Sequence, residues 1–490
     1  MCRGHKTKYN HMKSRFRNLG LFLLSTGLVL GSCKKMTDDH NAITDDSLKK
    51  NLTELISESA NLSTFSGYLQ QTGYADILAS SRNYTVFAPT NAELAGLDAA
   101  VKNDPARLKA FVGNHIASQL YYTTTVTSGL RIEMLSGKYN NMLRNKIEGS
   151  VITVADKYAA NGVLHIVDKM LPALDNCWEF LSNNSQAPVN QKTFLLSLFR
   201  NVFDTTNAVI IGINPTTGEP IYQAGTDSVY TNLFWNKVHD LRNEKKQYTL
   251  FMLTDAAWNA EQVKYTPYFV TNTADSNKLV TGWNVVKDFA VDTVYDPATI
   301  PDTVLSKFGT KVPIDRSAIV STIKTSNGIV YLMNKLDVKP SSKFKTYIIE
   351  AENYTSTSHD RRSVTYFRDR YNAVSGKDFR DVLVYNHGVA QFNIRYQIEE
   401  IPSIKYKAYW VAVNDIQTAT HAQRLSIGST GSTTFAYTTV PINTFSEVYL
   451  GEFTMTQYQP LYNVYLVAAN STSATANFIT CDYIKLVPSL

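Results

Sequence analysis

The chain has 490 residues, 44% of them hydrophobic, which is enough for about three domains with cores of their own. Its formal net charge is +6, but residues 1–32 hold six basic residues and no acidic one, so the rest of the chain is neutral. A neutral body has no basic field to attract nucleic acid, and nucleic-acid binding is therefore excluded as a function.

Residues 1–32 have the pattern of a lipoprotein signal peptide. Basic residues precede the apolar run LGLFLLSTGLVL, which is too short to span a bilayer but suits a secretory signal. The run ends in LGSC, which resembles the bacterial lipobox and implies that Cys33 carries the lipid, including palmitate. We expect a protein anchored by this lipid in the outer membrane and exposed at the cell surface. The alternative is a plain signal peptide with a chance cysteine, and translation starts at Met1 or Met12.

Residues 33–46 are polar and show no apolar periodicity, which predicts a flexible tether. Beyond the tether, Cys177 and Cys481 are the only cysteines, about 300 residues apart. Their spacing supports neither a disulfide nor a zinc site, so we expect two buried free thiols.

A short phrase occurs twice, as YTVFAPTNAEL at residues 84–94 and as YTLFMLTDAAW at residues 248–258. In the first copy an apolar strand ends at Pro89, and Thr90 and Glu93 fit a capping box that begins a helix. In the second copy Asp255 is the expected helix cap. Each phrase therefore predicts a strand, a sharp turn and a capped helix.

A second motif closes each copy. Asn161-Gly162 is a turn signal before the alternating strand VLHIVDKML, and Asn327-Gly328 precedes IVYLMNKLDV. Tyr84 and Asn161 are 77 residues apart, and Tyr248 and Asn327 are 79 apart. Two motifs in the same order at matched separation predict a tandem repeat with a period of about 165 residues.

These motifs resemble the fasciclin domain, whose marks are a phrase like FTVFAPTNAAF, a central Tyr-His pair and a closing NGVIHVIDKVL. The first copy, residues 47–175, supplies His115 of the pair and His165 in its closing phrase. The second copy, residues 190–338, is degenerate and has Tyr331 where His165 stands. The resemblance implies α+β domains in tandem, each a wedge of strands with helices, used in extracellular adhesion and in matrix or glycan contacts without catalysis.

Two details limit what the resemblance implies. Asn114 replaces the tyrosine of the Tyr-His pair, so the integrin contact of animal members is not carried over. His115 and His165 are expected to be packed or hydrogen-bonded structural residues, and a ligand role is the alternative. Residues 213–232 form an insertion rich in Gly, Pro and Thr, which predicts a loop or hairpin.

Residues 341–490 alternate in short segments rich in Val, Ile, Tyr and Phe, which predicts an all-β sandwich. The opening IIEAENY and the closing CDYIKLVP resemble the jelly-roll carbohydrate-binding modules, in which the first and last strands lie side by side. Glu350, Glu352 and Asp482 would then converge, and the family has a structural Ca²⁺ at this place. The alternative is that the glutamates are solvated and Asp482 caps a turn.

A sugar-binding surface needs exposed aromatic rings with polar groups beside them. The candidates are Tyr406, Tyr409 and Trp410, together with Asn477, where the sugar modules often place a ligand-binding Asn. The alternation of AYWVAVN also fits Trp410 as a core residue. Arginines at 361, 362, 368 and 370 can grip an anionic sugar, but an ordinary charged loop is the favoured interpretation.

The sequence contains no GxSxG, HExxH or phosphate-binding Gly-rich loop, so no enzyme is predicted. The favoured function is a lipid-anchored, non-catalytic adhesion or interaction protein that contacts glycans or extracellular proteins. The alternative is a glycan-capture lipoprotein of an outer-membrane polysaccharide uptake system. A hydrolase whose carboxylates meet only on folding is a third and weaker hypothesis.

Overall fold

The computed structural model describes residues 46–431 and 435–490. The signal peptide, Cys33 and the tether up to residue 45 lie outside the described residues. Contacts between residues divide the chain into two compact units, one ending at Ala173 and one from Leu174 to Leu490. Within the described ranges, no helix combines the length and apolar character needed to cross a bilayer.

Unit 1 combines short helices with one sheet. Its helices are α1 Leu52–Ser57, α2 Ser63–Gln71, α3 Tyr74–Leu78, α4 Asn91–Leu94, α5 Ala99–Lys102 and α6 Pro105–Gly113. Its strands are β1 Tyr84–Pro89, β2 Ile116–Ala117, β3 Leu130–Glu133, β4 Tyr139–Leu143, β5 Lys146–Ile147, β6 Ser150–Ala159 and β7 Gly162–Val167.

The seven strands of unit 1 form one sheet in the order β2-β1-β7-β6-β5-β4-β3. Strand β1 runs parallel to β7, with Tyr84 opposite Gly162. Val86 packs into one hydrophobic cluster and Phe87 into another, so both faces of β1 are buried. The closing phrase was expected to alternate, but all of β7 except Ile166 is buried, because it too is covered on both faces.

The turn after β1 shows one of the two hydrogen bonds of the predicted capping box. Thr90 is the N-cap of α4, and its hydroxyl oxygen accepts a hydrogen bond from the Glu93 backbone N–H at 3.4 Å. The N-cap prediction is confirmed.

The first part of unit 2 repeats this plan and adds a long hairpin. Its helices are α7 Cys177–Asn183, α8 Val189–Ser197, α9 Leu233–Lys237, α10 Asp255–Tyr265 and α11 Ala274–Val286. Its strands are β8 Phe199–Phe203, β9 Ile210–Ile213, β10 Pro220–Tyr222, β11 Ser228–Asn232, β12 Tyr248–Leu253, β13 Ala290–Val291, β14 Thr303–Leu305, β15 Lys311–Pro313, β16 Ile319–Thr325 and β17 Gly328–Met333.

Strand β12 runs parallel to β17 with Tyr248 opposite Gly328, as β1 does to β7. The helix cap is corrected by one position: Thr254, not Asp255, caps α10 by accepting from the Ala257 N–H. Asp255 is the first helical residue and accepts a hydrogen bond from the Asn190 N–H at 2.7 Å. The insertion is a hairpin, as predicted, in which β11 pairs with β8 and β10 with β9.

A buried asparagine before the closing strand makes the same contacts in both copies. Asn161 accepts from the Leu52 N–H at 2.9 Å and donates to the carbonyls of Leu78 and Ser80. Asn327 accepts from the Cys177 N–H at 2.9 Å and donates to the carbonyls at positions 241 and 243. The two copies therefore share this set of contacts, and in the second copy α7, which precedes residue 190, takes the place of α1.

The two histidines of the first copy are neutral structural residues, as predicted. His115 Nδ1 donates to the Phe111 carbonyl at 2.8 Å, and its Nε2 accepts from the Leu171 N–H at 2.9 Å. His165 stacks on Phe87 at 5.1 Å, and its Nε2 donates to the backbone carbonyl of residue 121 at 2.9 Å. In the second copy Tyr331 takes the place of His165, stacking on a phenylalanine and donating to a carbonyl at 2.7 Å.

The second part of unit 2 is all-β apart from two short 3₁₀ turns. Its strands are β18 Tyr347–Glu350, β19 Ser356–Thr357, β20 Thr365–Asn372, β21 Lys377–Val384, β22 Asn393–Ile401, β23 Lys405–Val411, β24 His421–Ile427, β25 Thr438–Val440, β26 Val448–Thr454, β27 Gln459–Ala468, β28 Ile479–Cys481 and β29 Tyr483–Ser489.

These strands form sheets of four, five and three strands, ordered β18-β29-β23-β26, β19-β22-β27-β24-β25 and β20-β21-β28. The first and last strands pair side by side, with Tyr347 opposite Leu486. One buried cluster, which includes Tyr396 and Trp410, fills the interior between strands of different sheets. The predicted fold class, α+β repeats followed by an all-β sandwich, is confirmed.

The second copy and the sandwich are joined by a buried ion pair. Lys343 Nζ lies 2.5 Å from Asp288 Oδ2, and the two side chains are 1% and 0% exposed. Phe344 packs against both hydrophobic clusters of unit 2. Ser403 Oγ accepts from the Val270 N–H at 3.0 Å, which adds a hydrogen bond between the two parts.

Burial lowers the pKa of His115 to about 4, against an ordinary value of 6.5. Below about pH 6.5, His115 becomes protonated in the unfolded chain but stays neutral in the folded one. The free energy of unfolding of unit 1 therefore falls by up to about 3 kcal/mol by pH 4. In His115→Gln we expect lower stability at pH 7 but a smaller further loss at pH 4.5. Hydrogen-exchange mass spectrometry on unit 1 peptides measures both.

All five tryptophans follow residue 174, so tryptophan fluorescence reports on unit 2 and provides the control. It should give the same unfolding curves for wild type and variant. An equal loss of protection in both proteins on acidification would contradict the assignment to His115.

Candidate functional site

Two of the predicted sugar-contacting rings lie in the sandwich core. Tyr406 is 0% exposed and Trp410 1% exposed, and both belong to the buried cluster between the sheets. Neither offers a ring face to a ligand, so this part of the prediction is corrected. The cause is the alternation along β23, which turns every second side chain inward.

Tyr409 has the opposite orientation on β23. It is half-buried, lies 5.2 Å from the ring of Tyr449, and has Lys485 Nζ over its own ring at 5.0 Å. Of the three predicted rings it alone lies on the outer side of the sheet. Asn477, the fourth predicted ligand-binding residue, is buried, so it does not share the outer surface of the sheet with Tyr409.

The carboxylates predicted to bind Ca²⁺ lie close enough to affect one another. Burial raises the pKa of Asp482 to about 7, and the nearby carboxylates of Glu350, Asp381 and Glu352 add to the shift in that order. Burial and then the charge of Glu352 raise the pKa of Glu350. Glu352 also has one buried oxygen, Oε2, without a hydrogen-bond partner. The first and last strands thus bring together acidic groups that repel one another.

These donors fit Ca²⁺ chemically, because carboxylate oxygens are what this hard cation prefers. The three carboxylates do not yet form a metal-binding cluster. Among the residues that the structure describes, no three Asp, Glu, His or Cys side chains are gathered as metal ligands. Glu350, Glu352 and Asp482 would hold the ion and its charge would offset their repulsion. Calcium binding stays a prediction.

The arginines at 368 and 370 lie on strand β20 rather than in a loop. Arg368 pairs with the buried Asp381, and both Arg368 and Arg370 pair with Asp415. Their charges are therefore already matched by carboxylates within the protein. Arg361 also has a protein partner, since its Nε donates to the backbone carbonyl of His387 at 2.8 Å.

One end of the sandwich brings together three loops, which we call the loop end: residues 385–391, 412–421 and 470–478. Asn477 Nδ2 donates to the carbonyls of Val389 and Ser471. Gln417 Nε2 donates to the carbonyls of residues 419 and 475 at 2.7 and 2.9 Å. Side-chain amides from two loops therefore hold all three together.

The loop end contains five buried side-chain nitrogen or oxygen atoms without a partner. They are His387 Nε2, Asn414 Oδ1, His421 Nδ1, His421 Nε2 and Asn477 Oδ1. The four residues are at most 3% exposed. Leaving a buried polar atom unpaired costs about 1 to 3 kcal/mol, so a ligand or water that pairs with these atoms would gain free energy.

Both histidines of the loop end are uncharged at neutral pH. Burial lowers the pKa of His421 and of His387 to about 4 in each case. The ring of His421 lies 3.7 Å from that of Phe478, and the ring of His387 lies 4.6 Å from that of Phe392. A neutral imidazole can donate and accept, so the site suits an uncharged ligand that bears hydroxyl groups.

The sequence analysis identified Asn477 but missed Asn414, His387 and His421. Each lies beside a strand end in a polar stretch, and solvated loops have the same composition. The sequence carries no signal that separates a buried loop histidine from an exposed one such as His359.

A family model for the Fasciclin domain matches residues 60–173, which lie in unit 1. Transforming growth factor-beta-induced protein ig-h3 of Sus scrofa is 23% identical over 176 residues, covering 31% of this chain and 25% of that protein. The chain thus spans about a quarter of the length of this relative. Residues 60–173 are a Fasciclin domain.

Two solved structures are similar at low scores. A FAS1 domain pair from the insect cell adhesion molecule Fasciclin I covers 58% of this chain and 99% of its own, at 13% identity and a TM-score of 0.24. A family 35 carbohydrate binding module from Clostridium thermocellum covers 30% of this chain and 100% of its own, at 14% identity and a TM-score of 0.21. Scores this low establish no shared function.

The calcium prediction can be tested at pH 8. At this pH Asp482 is ionised, and its burial beside other carboxylates lowers the stability of the folded protein. In EDTA, Asp482→Asn should be more stable than wild type by about 1 to 2 kcal/mol, because it removes one repelling charge and screening reduces the full effect. Millimolar CaCl₂ should raise the melting temperature of wild type by several degrees and that of the variant by less. Differential scanning calorimetry measures both.

Glu399→Gln, at an exposed site, is the matched control and should respond to CaCl₂ as wild type does. Equal melting temperatures of wild type in EDTA and in CaCl₂ would rule the calcium site out.

Proposed function

We propose that this protein is a non-catalytic, lipid-anchored adhesion or interaction protein of the cell surface that contacts glycans or extracellular proteins. The Fasciclin domain at residues 60–173 supports an interaction role, because this family is not generally enzymatic. The observation that supports a glycan contact is the set of five polar atoms without a partner at the loop end. Because these atoms are buried, a glycan would reach them only if the three loops move apart. Uncharged hydroxyl groups are the chemistry that can pair with all of them.

The lipid anchor and the outer-membrane location rest on the LGSC motif that ends in Cys33. An anchor followed by a polar tether would hold both units at the surface, where extracellular ligands reach them. The alternative, a glycan-capture protein of a polysaccharide uptake system, uses the same loop end. The two differ in outcome: capture predicts loss of polysaccharide import on deletion of the protein, whereas adhesion predicts loss of attachment.

His421→Phe tests the loop end directly. The phenyl ring keeps the stacking on Phe478 and removes two unpaired nitrogens, so the variant should be more stable by about 1 kcal/mol. Glycan binding, measured on a glycan array and then by calorimetry, should weaken at least tenfold. Tryptophan fluorescence during urea unfolding gives the stability of unit 2.

The exposed His359→Phe is the control and should bind as wild type does. A point variant is the right probe because the sandwich shares a buried ion pair with the rest of unit 2, and deleting it would expose that pair. Unchanged glycan binding in His421→Phe would exclude the loop end. If no glycan on the array binds and the protein captures a specific surface protein instead, the function is protein adhesion.

The anchor is tested by Cys33→Ala, which should move the protein from the membrane fraction to the soluble fraction because the acylated thiol is lost. Mass spectrometry of the wild-type N-terminal peptide should show the added lipid. Cys2→Ala is the control, and its distribution should match wild type whether translation starts at Met1 or Met12. Membrane association of Cys33→Ala would defeat the lipid-anchor proposal.

A further inference from the structure

Three helices of the second copy line an open cleft of about 460 Å³ that shares no residue with the loop end. Helix α8 lines it with Asn190, Thr193, Phe194 and Ser197, which are three or four residues apart and so share one helix face. Helix α10 contributes three more side chains and α11 one. The volume is in the range of small-molecule sites.

The aromatic surface of the cleft is the half-buried ring of Phe194, and the buried Trp258 packs against it. The rings of Phe194 and Trp258 lie 5.4 Å apart at 42°, and Trp258 is only 5% exposed. The position of Phe194 depends on Gly282 in α11, since a Cβ there would lie 2.3 Å from the phenyl ring. The ring of Phe194 is therefore held rigidly between helices.

The rim of the cleft is polar and uncharged except for the exposed Lys278 of α11. Its amides and hydroxyls belong to Asn190, Thr193, Ser197, Asn259 and Gln262. Asn190 Nδ2 donates to Asn259 Oδ1 at 3.2 Å, which orients two of the amides toward each other at the rim. An amide donates through nitrogen and accepts through oxygen, which matches a hydroxyl group that does both.

We propose that this cleft binds a neutral saccharide. The apolar face of one pyranose ring would lie on the half-buried ring of Phe194, and its hydroxyls would pair with the amides of Asn190, Asn259 and Gln262. An ionic ligand would find one lysine and no paired set of charges among the residues that line the cleft. An apolar peptide helix would leave the rim amides unpaired, at a cost in affinity.

A neighbouring cleft of about 350 Å³ shares Ser197 and is lined by Trp283 and Tyr458. A saccharide chain that leaves the first cleft past Ser197 would meet these rings next. The proposal therefore favours oligosaccharides over single sugars. It goes beyond the proposed function, because it places a second glycan site on the repeated half of unit 2.

Calorimetry of the purified full-length protein with cellohexaose, laminarihexaose, mannohexaose and xylohexaose tests the cleft. At least one hexasaccharide should bind, and the double variant Asn259→Ala/Gln262→Ala should weaken that binding at least tenfold. Val263→Ala is the matched control, since Val263 is 75% exposed on the same helix and does not line the cleft. Its affinity should equal that of wild type.

The same titrations separate the cleft from the loop end. His421→Phe should bind the hexasaccharide in the cleft as wild type does. Trp258→Phe should reduce, without abolishing, the tryptophan fluorescence change on binding, because Trp283 lines the neighbouring cleft. Binding lost in His421→Phe and kept in the double variant overturns the cleft proposal and supports the loop end alone. The proposal is also overturned if none of the hexasaccharides binds. It is overturned as well if the wild-type protein captures a protein partner that the double variant no longer captures.

Discussion

The buried asparagine before each closing strand is the constraint on which the repeated fold depends. Asn161 and Asn327 each connect the first helix of their copy, a loop carbonyl and the turn into β7 or β17. The following glycine is equally fixed, because a Cβ at Gly162 or Gly328 would lie 2.2 or 2.0 Å from the carbonyl oxygen of the opening strand's tyrosine. Only glycine lets the two strands pair in parallel at this point, and the helices then pack on the sheet that results.

Unit 2 depends in addition on Lys343 and Asp288. Neither charge reaches solvent, and Asp288 is also held by the Ser306 hydroxyl at 2.6 Å. Removing one partner of such a pair typically costs about 3 to 5 kcal/mol, because the other charge is left buried and alone. The pair lies where the second copy meets the sandwich, so the cleft and the loop end are carried by one compact unit. Ligands at the two places would therefore be presented in a fixed relation to each other.

Both proposed glycan contacts rest on uncharged polar side chains that could hydrogen-bond to a ligand. At the loop end, buried imidazole and amide atoms lack partners, and burial keeps the two histidines neutral. In the cleft, amides and the rigidly held ring of Phe194 are part of the lining. Neither place gathers several like charges. The carboxylates around Asp482 do, and burial together with their repulsion raises the pKa of Asp482. The ligands proposed for the loop end and the cleft are uncharged and bear hydroxyl groups, and a divalent cation near Asp482 stays a prediction.

The repeat, the capped turn after the strand at residue 84 and the alternation of the sandwich strands could be read from the sequence, whereas the pairing of its first and last strands was implied only by the resemblance to the carbohydrate-binding modules. The features read from the sequence are local patterns, or motifs that stand at fixed separations. The sequence offered Tyr406 and Trp410 as candidate ligand-binding rings, with the core as the favoured interpretation for Trp410, because alternation shows that two faces differ but not which one is buried. Only the tertiary structure decided that, and only it joined Lys343 to Asp288 and gathered His387, Asn414, His421 and Asn477, since these contacts link residues far apart in the chain that no local pattern connects.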